Sequence, residues 1–214
     1  MKKIIFFDIM IQTEKILWDV DTQNDLILPG GDFSVPGAYL VADNFGRAIR
    51  HFEKKGFPVL GVVDAHIGRE SVIGTRDENL PLHCIKGTFG QLKISQTQGD
   101  ILFVSDQVYS DEAIDLVVVE IKAGRRVYFE KQQQSQISNP NITMIMKKLG
   151  VKEVYFIGLL INVCIRLADL AFKSMGIKTF LVEGAVHGVD FPDSNVAVVT
   201  GEMFEEGTEY YKFN

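Results

Sequence analysis

Short apolar runs rich in β-branched and aromatic residues alternate along this chain with stretches whose apolar residues recur every three or four positions. This pattern predicts strands alternating with helices. The runs fall at 16–21, 58–64, 125–131, 154–160 and 179–183, and 101–104 reads as a small strand or hairpin arm. Between them, 38–55 carries Leu40, Val41, Phe45, Ile49 and Phe52 at helical spacing and stops at Gly56. The stretch 111–123 opens on acidic residues, and 142–149 follows Asn139-Pro140-Asn141, both helix-start signals. The run 154–160 passes without a polar linker into a segment whose Val163, Leu167, Leu170 and Ala171 repeat helically, with Asn162 as the expected N-cap and Gly176 as the expected stop. Strand, helix and strand in that order build βαβ units, hence a parallel sheet with helices on both faces. Ligands of such sheets bind outside the carboxyl ends of the strands.

Three stretches break the pattern. The segment 1–15 begins like a signal peptide, but Asp8 interrupts its apolar run and no small-residue cleavage site follows. It reads as an N-terminal extension or extra strand to a single domain spanning 16–214. The segment 65–100 has no sustained periodicity, and a loop of that length inside an α/β domain is usually functional. Towards the C-terminus, Val196, Val199 and Phe204 suggest a helix and 208–213 a last strand.

Composition narrows the partners. With 214 residues, 46% of them hydrophobic, the chain can bury a sizeable core. A net charge of −6 and the lack of any Lys/Arg-rich block argue against nucleic acid. No apolar run is long enough to cross a bilayer, so a soluble protein with no membrane partner is expected. Two cysteines, Cys84 and Cys164, fit a reducing cytoplasm.

The polar residues at strand carboxyl ends form a short roster. Cys164 falls in the first turn of a helix, where unpaired N–H groups and the macrodipole favour the thiolate. A cysteine nucleophile needs a proton acceptor and a positive neighbour, which Asp21 and Lys131 can supply. Asp64 and His66, two residues apart at a strand end, can join His83 of the long loop around a divalent cation. That O,N,N set leaves positions open for water or substrate, as catalytic sites do. Cys84 beside His83 reads as a buried spectator, His51 as a residue on a solvated helix face and His187 as a turn residue. Gly87 and Gly90 match neither a phosphate-cradling loop nor a dinucleotide fingerprint.

These residues resemble the isochorismatase-like cysteine hydrolases, and within them the nicotinamidases and pyrazinamidases. VDTQNDL at 20–26 resembles the opening strand motif of that family, VVDAH at 62–66 the metal-binding strand, and PLHCIKGTFG at 81–90 the loop giving the last metal ligand. FEK at 129–131 resembles the catalytic-lysine strand and GLLINVCI at 158–165 the nucleophile turn. The resemblance implies a three-layer α/β/α sandwich around a mostly parallel, about six-stranded sheet. It implies catalysis by Asp21, Lys131 and Cys164, an oxyanion hole from the backbone N–H groups of Leu160 and Cys164, and a cis peptide between Leu159 and Leu160. It also implies one divalent metal on Asp64, His66 and His83, zinc first with iron or manganese as alternatives, and a homo-oligomer. The implied reaction is a metal-dependent amide hydrolysis through a Cys thioester, nicotinamide and water giving nicotinate and ammonia, with a role in NAD salvage. Leu26 and, approximately, Leu80 stand where nicotinamidases place aromatic pocket residues, and Leu160 and Ile161 where smaller ones are usual. Two alternatives therefore stand beside the first: another small amide, carbamoyl compound or vinyl ether as substrate, or a non-catalytic binding protein that kept the fold.

Overall fold

The computed structural model describes residues 13–71, 78–188 and 209–212. Of the expected N-terminal extension or extra strand at 1–15, residues 1–12 lie outside the described residues and Lys15 already opens the first strand; the expected helix around Val196, Val199 and Phe204 also lies outside them. The strands are β1 (Lys15–Val20), β2 (Val59–Asp64), β3 (Ile101–Val104), β4 (Arg126–Lys131), β5 (Glu153–Leu159), β6 (Lys178–His187) and β7 (Glu209–Tyr211). They form one seven-stranded sheet in the order β3-β4-β2-β1-β5-β6-β7, with every pairing parallel. Six of these match the expected sheet, and β7 adds a three-residue edge where a last strand was expected.

Two apolar clusters cover the two faces, which explains why the strands read as continuous apolar runs rather than alternating ones. One cluster joins Trp18, Val20, Phe129 and Phe156 to helices α3 (Asp111–Lys122), α4 (Ile142–Leu149) and α5 (Arg166–Ser174). The other joins Leu17, Val59 and Ile157 to the short α1 (Asn24–Ile27) and to α2 (Ala42–Lys54). Ser110 caps α3, its hydroxyl accepting from the Ala113 N–H at 3.3 Å, and Asp111 and Glu112 occupy the first turn as the sequence indicates. Among the described residues no helix is long and apolar enough to cross a membrane.

Local expectations shift in three places. Ala38–Val41 is a separate 3₁₀ turn ahead of α2, so Leu40 is 71% exposed instead of facing the core. In α5 the buried face is Ala168, Asp169 and Phe172, with Leu170 turned outward. Asn162 is not an N-cap: Leu160 precedes a π turn, Ile161–Ile165, and α5 begins only at Arg166. The Ile165 N–H reaches back to the Leu160 carbonyl at 3.0 Å, a widened turn of the kind that recurs at functional sites.

β1 lies between β2 and β5, and the chain runs outward from it in both directions. That topological switch opens a crevice at the carboxyl ends of β1, β2, β4 and β5. Gly158 keeps it tight, because a Cβ there would sit 2.0 Å from the Val20 carbonyl oxygen, at a φ of +106° that side chains avoid.

Candidate active site

Four chemistry-bearing side chains lie at or just beyond the carboxyl ends of the strands that meet the crevice. Asp21 follows β1, Asp64 closes β2, Lys131 closes β4, and Cys164 lies in the π turn after β5. All four are buried. Asp21 adopts a left-handed φ of +53°, which a short polar side chain tolerates, and this turns the chain sharply at the strand end.

The stretch after Asp21 staples the site together. The Gln23 side chain donates to the Asp64 carbonyl and accepts from the Asp64 N–H, both at 2.8 Å, and also donates to the Gln91 carbonyl. Asn24 donates to the Phe89 carbonyl at 2.9 Å, and the Asp25 carboxylate accepts from the Cys84 N–H at 2.7 Å. A Cβ at Gly90 would lie 2.0 Å from the Asp25 carboxylate, so only glycine lets the loop close over it. The aperiodic loop is thus pinned by side chains of the opening motif, and His83 is delivered beside β2.

Asp64, His66 and His83 come together with their ligand atoms all within 4.8 Å of one another. The two imidazoles meet edge to face with centroids 5.0 Å apart. His83 Nδ1 donates to the Pro81 carbonyl at 2.7 Å, which in the neutral imidazole leaves the lone pair on Nε2, 3.9 Å from Asp64 Oδ2. A backbone carbonyl orienting the far nitrogen of a histidine is a feature of metal ligation. Lys131 bonds Asp64 Oδ1, so the second carboxylate oxygen faces the histidines. This donor set fits a divalent ion. Cys84 does not join it: its thiol lies 3.9 Å from the Gly90 carbonyl, and burial pushes its pKa well up.

The charges explain the proton inventory. Lys131 Nζ lies 3.1 Å from Asp21 and closer still to Asp64. Burial works against its ammonium, but the two carboxylates outweigh burial and hold it protonated well above the ordinary range. Burial also pushes Asp64 up, yet the Lys131 ammonium prevails and the net shift is downward. Asp21 keeps the lesser share of that ammonium, so burial wins and its pKa rises to about 7. The Cys164 thiol and the Asp21 carboxyl are close enough that each shifts the other's titration. Burial, reinforced by Asp21 and Asp64 against Lys131, raises the thiol well above its ordinary value. That reverses the thiolate expected from a helix N-terminus: full burial outweighs a macrodipole contribution of about 1 kcal/mol, and the segment around Cys164 is a π turn rather than a regular first turn.

Other expectations move. No cis peptide occurs among the described residues; Leu160 is extended, with φ −92° and ψ 133°, and Leu159 joins it in the lower-energy trans form. Leu26 is 5% exposed and packs into the core with Ile27 and Val35, while Leu80 is half-buried and its carbonyl accepts from Arg69 at 2.8 Å. Phe33 places an aromatic ring beside the candidate ligands, 4.9 Å from His83 between centroids, and reaches the site from a turn that no periodicity marks. His51 is half-buried and bonded to the Tyr211 hydroxyl at 3.1 Å, and His187 ends β6 against the Pro36 carbonyl.

Solved structures share this architecture. A pyrazinamidase of Pyrococcus horikoshii in complex with zinc is 24% identical, with 94% of this chain and 99% of that one covered and a TM-score of 0.68. An N-carbamoylsarcosine amidase from Thermoplasma acidophilum is 22% identical, covering 93% and 96%, with a TM-score of 0.67. A nicotinamidase from Bacillus subtilis is 18% identical, covering 92% and 98%, with a TM-score of 0.66. No curated protein sequence matched the chain. The isochorismatase domain family matches residues 16–206, nearly the whole length, and the chain therefore belongs to the isochorismatase family of hydrolases.

Proposed function

We propose that the protein hydrolyses a small carboxamide through a thioester on Cys164, with nicotinamide as the first substrate and a role in NAD salvage. The observation that carries this reading is the convergence of Asp21, Lys131 and Cys164 in one buried cluster beside an O,N,N ligand set. A carboxyl poised near pH 7 suits a group that must both take and return a proton.

The Asp21 carboxylate takes the thiol proton as Cys164 Sγ bonds to the amide carbon and the carbonyl electron pair moves to oxygen. The backbone N–H groups of Leu160 and Cys164 donate to that oxyanion. As the C–N bond breaks, Asp21 gives the proton to the departing nitrogen and ammonia leaves. Water then attacks the thioester, Asp21 takes its proton, the C–S bond breaks, and the proton returns to Cys164. Lys131 stays protonated throughout and offsets the negative charge. Asp64, His66 and His83 would hold a divalent ion, zinc first, which when bound supplies a Lewis-acid contact for a substrate lone pair.

A second reading, a carbamoyl or other non-aromatic amide, is favoured by Leu26, which lies in the core where nicotinamidases present an aromatic wall. Ammonia release from nicotinamide and from N-carbamoyl amino acids, with and without added zinc, separates the two. Release from nicotinamide alone supports the first reading. Release only from the carbamoyl compounds transfers the assignment to the second, and no release from either set eliminates both.

A further inference from the structure

The 3₁₀ turn Gln136–Ser138, between β4 and α4, places one fully buried polar side chain where the chemistry described above does not use it. Gln136 Oε1 accepts from the Trp18 indole N–H at 3.0 Å, and Gln136 Nε2 donates to the Cys164 carbonyl at 3.4 Å. The amide can face only this way. An indole nitrogen is a donor without acceptor capacity, so it demands the oxygen, and the NH₂ is left for the carbonyl.

The two partners belong to the two halves of the proposed proton transfer. Trp18 is on β1, three residues before Asp21, stacked on Phe129 of β4 at 5.8 Å and edge-on to Phe172 of α5 at 4.9 Å. Cys164 O is the nucleophile's own peptide oxygen, in a π turn with no side-chain cap. The turn that presents Gln136 is itself anchored. Asn139 Nδ2 donates to the carbonyls of Val104, Ser105 and Glu130, and Asn139 Oδ1 accepts from the Asn141 N–H. A buried amide with both ends used, held by a fixed turn, resists sliding of the nucleophile turn relative to β1.

We infer that Gln136 is a positioning residue: by tying the Cys164 peptide to Trp18 it sets the separation between the nucleophile and the strand that carries Asp21. The inference rests on Cys164 being the nucleophile. It predicts an effect on thiol chemistry with little effect on substrate affinity, since misplacing reacting groups by about 1 Å costs on the order of 100-fold in rate.

The test compares wild type, Gln136→Met, Trp18→Phe and the double variant, all zinc-loaded and full length. Iodoacetamide alkylation of Cys164 is followed by peptide mass spectrometry, which separates it from Cys84, alongside nicotinamide turnover and tryptophan emission. Trp18 is the only tryptophan in the chain, so emission of Gln136→Met reports on the surroundings of this indole without interference from another. Slower alkylation of Cys164 in Gln136→Met, by about tenfold, is expected. kcat should fall in parallel, KM should stay within about twofold and emission should shift. Trp18→Phe should act in the same direction, and the double variant should lose no more than the larger single. Unchanged or faster alkylation overturns the inference, because simple loosening would expose a buried thiol. Additive losses in the double variant overturn it as well. If Gln136→Met does not fold, Trp18→Phe decides by the same alkylation criterion. A wild type that releases no ammonia counts against the functional reading alone, because the alkylation comparison needs no substrate.

Discussion

Asp21→Asn should destroy activity, and its stability relative to wild type should climb as pH rises. In the folded chain the Asp21 carboxyl titrates at about 7, against 3.8 for the ordinary group, because burial disfavours its anion more than Lys131 favours it. A folded pKa above the unfolded one means that the stability contribution is complete below about pH 4 and is lost as pH rises through 7. The difference of about 3 units corresponds to about 4 kcal/mol, of which about 3 kcal/mol falls between pH 5 and pH 8. Asn cannot titrate, so it escapes this loss. Urea unfolding of both proteins at pH 5, 6, 7 and 8, with chelator present throughout, gives the stability difference directly. Lys131 stays protonated over this range and adds only a constant offset. The variant should gain about 3 kcal/mol on wild type across the series. Parallel stability curves, within about 1 kcal/mol, would mean that Asp21 is not held ionisable near neutrality.

Three further outcomes follow from the same geometry. Wild-type kcat/KM should rise with pH through an acid limb near 7, as the Asp21 carboxylate forms, and a limb near the ordinary carboxylate value would exclude Asp21 as the base. Gln23→Met leaves both backbone groups of Asp64 without their side-chain partner. Zinc affinity by calorimetric titration should drop about 10- to 100-fold, as for other groups that orient ligands, and unchanged affinity would remove Asp64 from the metal site. Gly158→Ala drives a Cβ to 2.0 Å from the Val20 oxygen at a positive φ. It should cost more than about 3 kcal/mol in Tm-derived stability, and a neutral substitution would show that β1 and β5 are not in this close contact.

The sheet was legible because its strands are buried on both faces and sit in helix-bounded βαβ units, so runs such as 58–64 and 125–131 could hardly be anything else. The convergence of the candidate residues was legible because topology sends strand carboxyl ends to one place, which groups Asp21, Asp64, Lys131 and Cys164 before any distance is known. The course of the loop carrying His83 was not legible, although His83 itself was. The loop's path is set by Asn24, Asp25 and Gln23, which reach it over 59 to 68 residues of separation, and such contacts leave no periodic trace. The π turn is a choice between backbone hydrogen-bond registers that leaves no mark on residue type, hence the misassigned cap at Asn162. The thiol's pKa was misjudged for a related reason, since a helix-start argument sees the local peptide dipoles and misses burial together with two carboxylates from other strands. Phe33 and Gln136 sit in short turns, and only their tertiary partners reveal them.

The measurement to make is rapid acid quenching during turnover of whichever amide releases ammonia, followed by mass spectrometry of the intact chain and its Cys164 peptide. A thioester predicts an added acyl mass on Cys164 that vanishes as substrate is exhausted, and no turnover by Cys164→Ala. Turnover that persists in Cys164→Ala, with no adduct on the wild-type peptide, would mean that water attacks the amide without a covalent intermediate and that Cys164 is not the nucleophile.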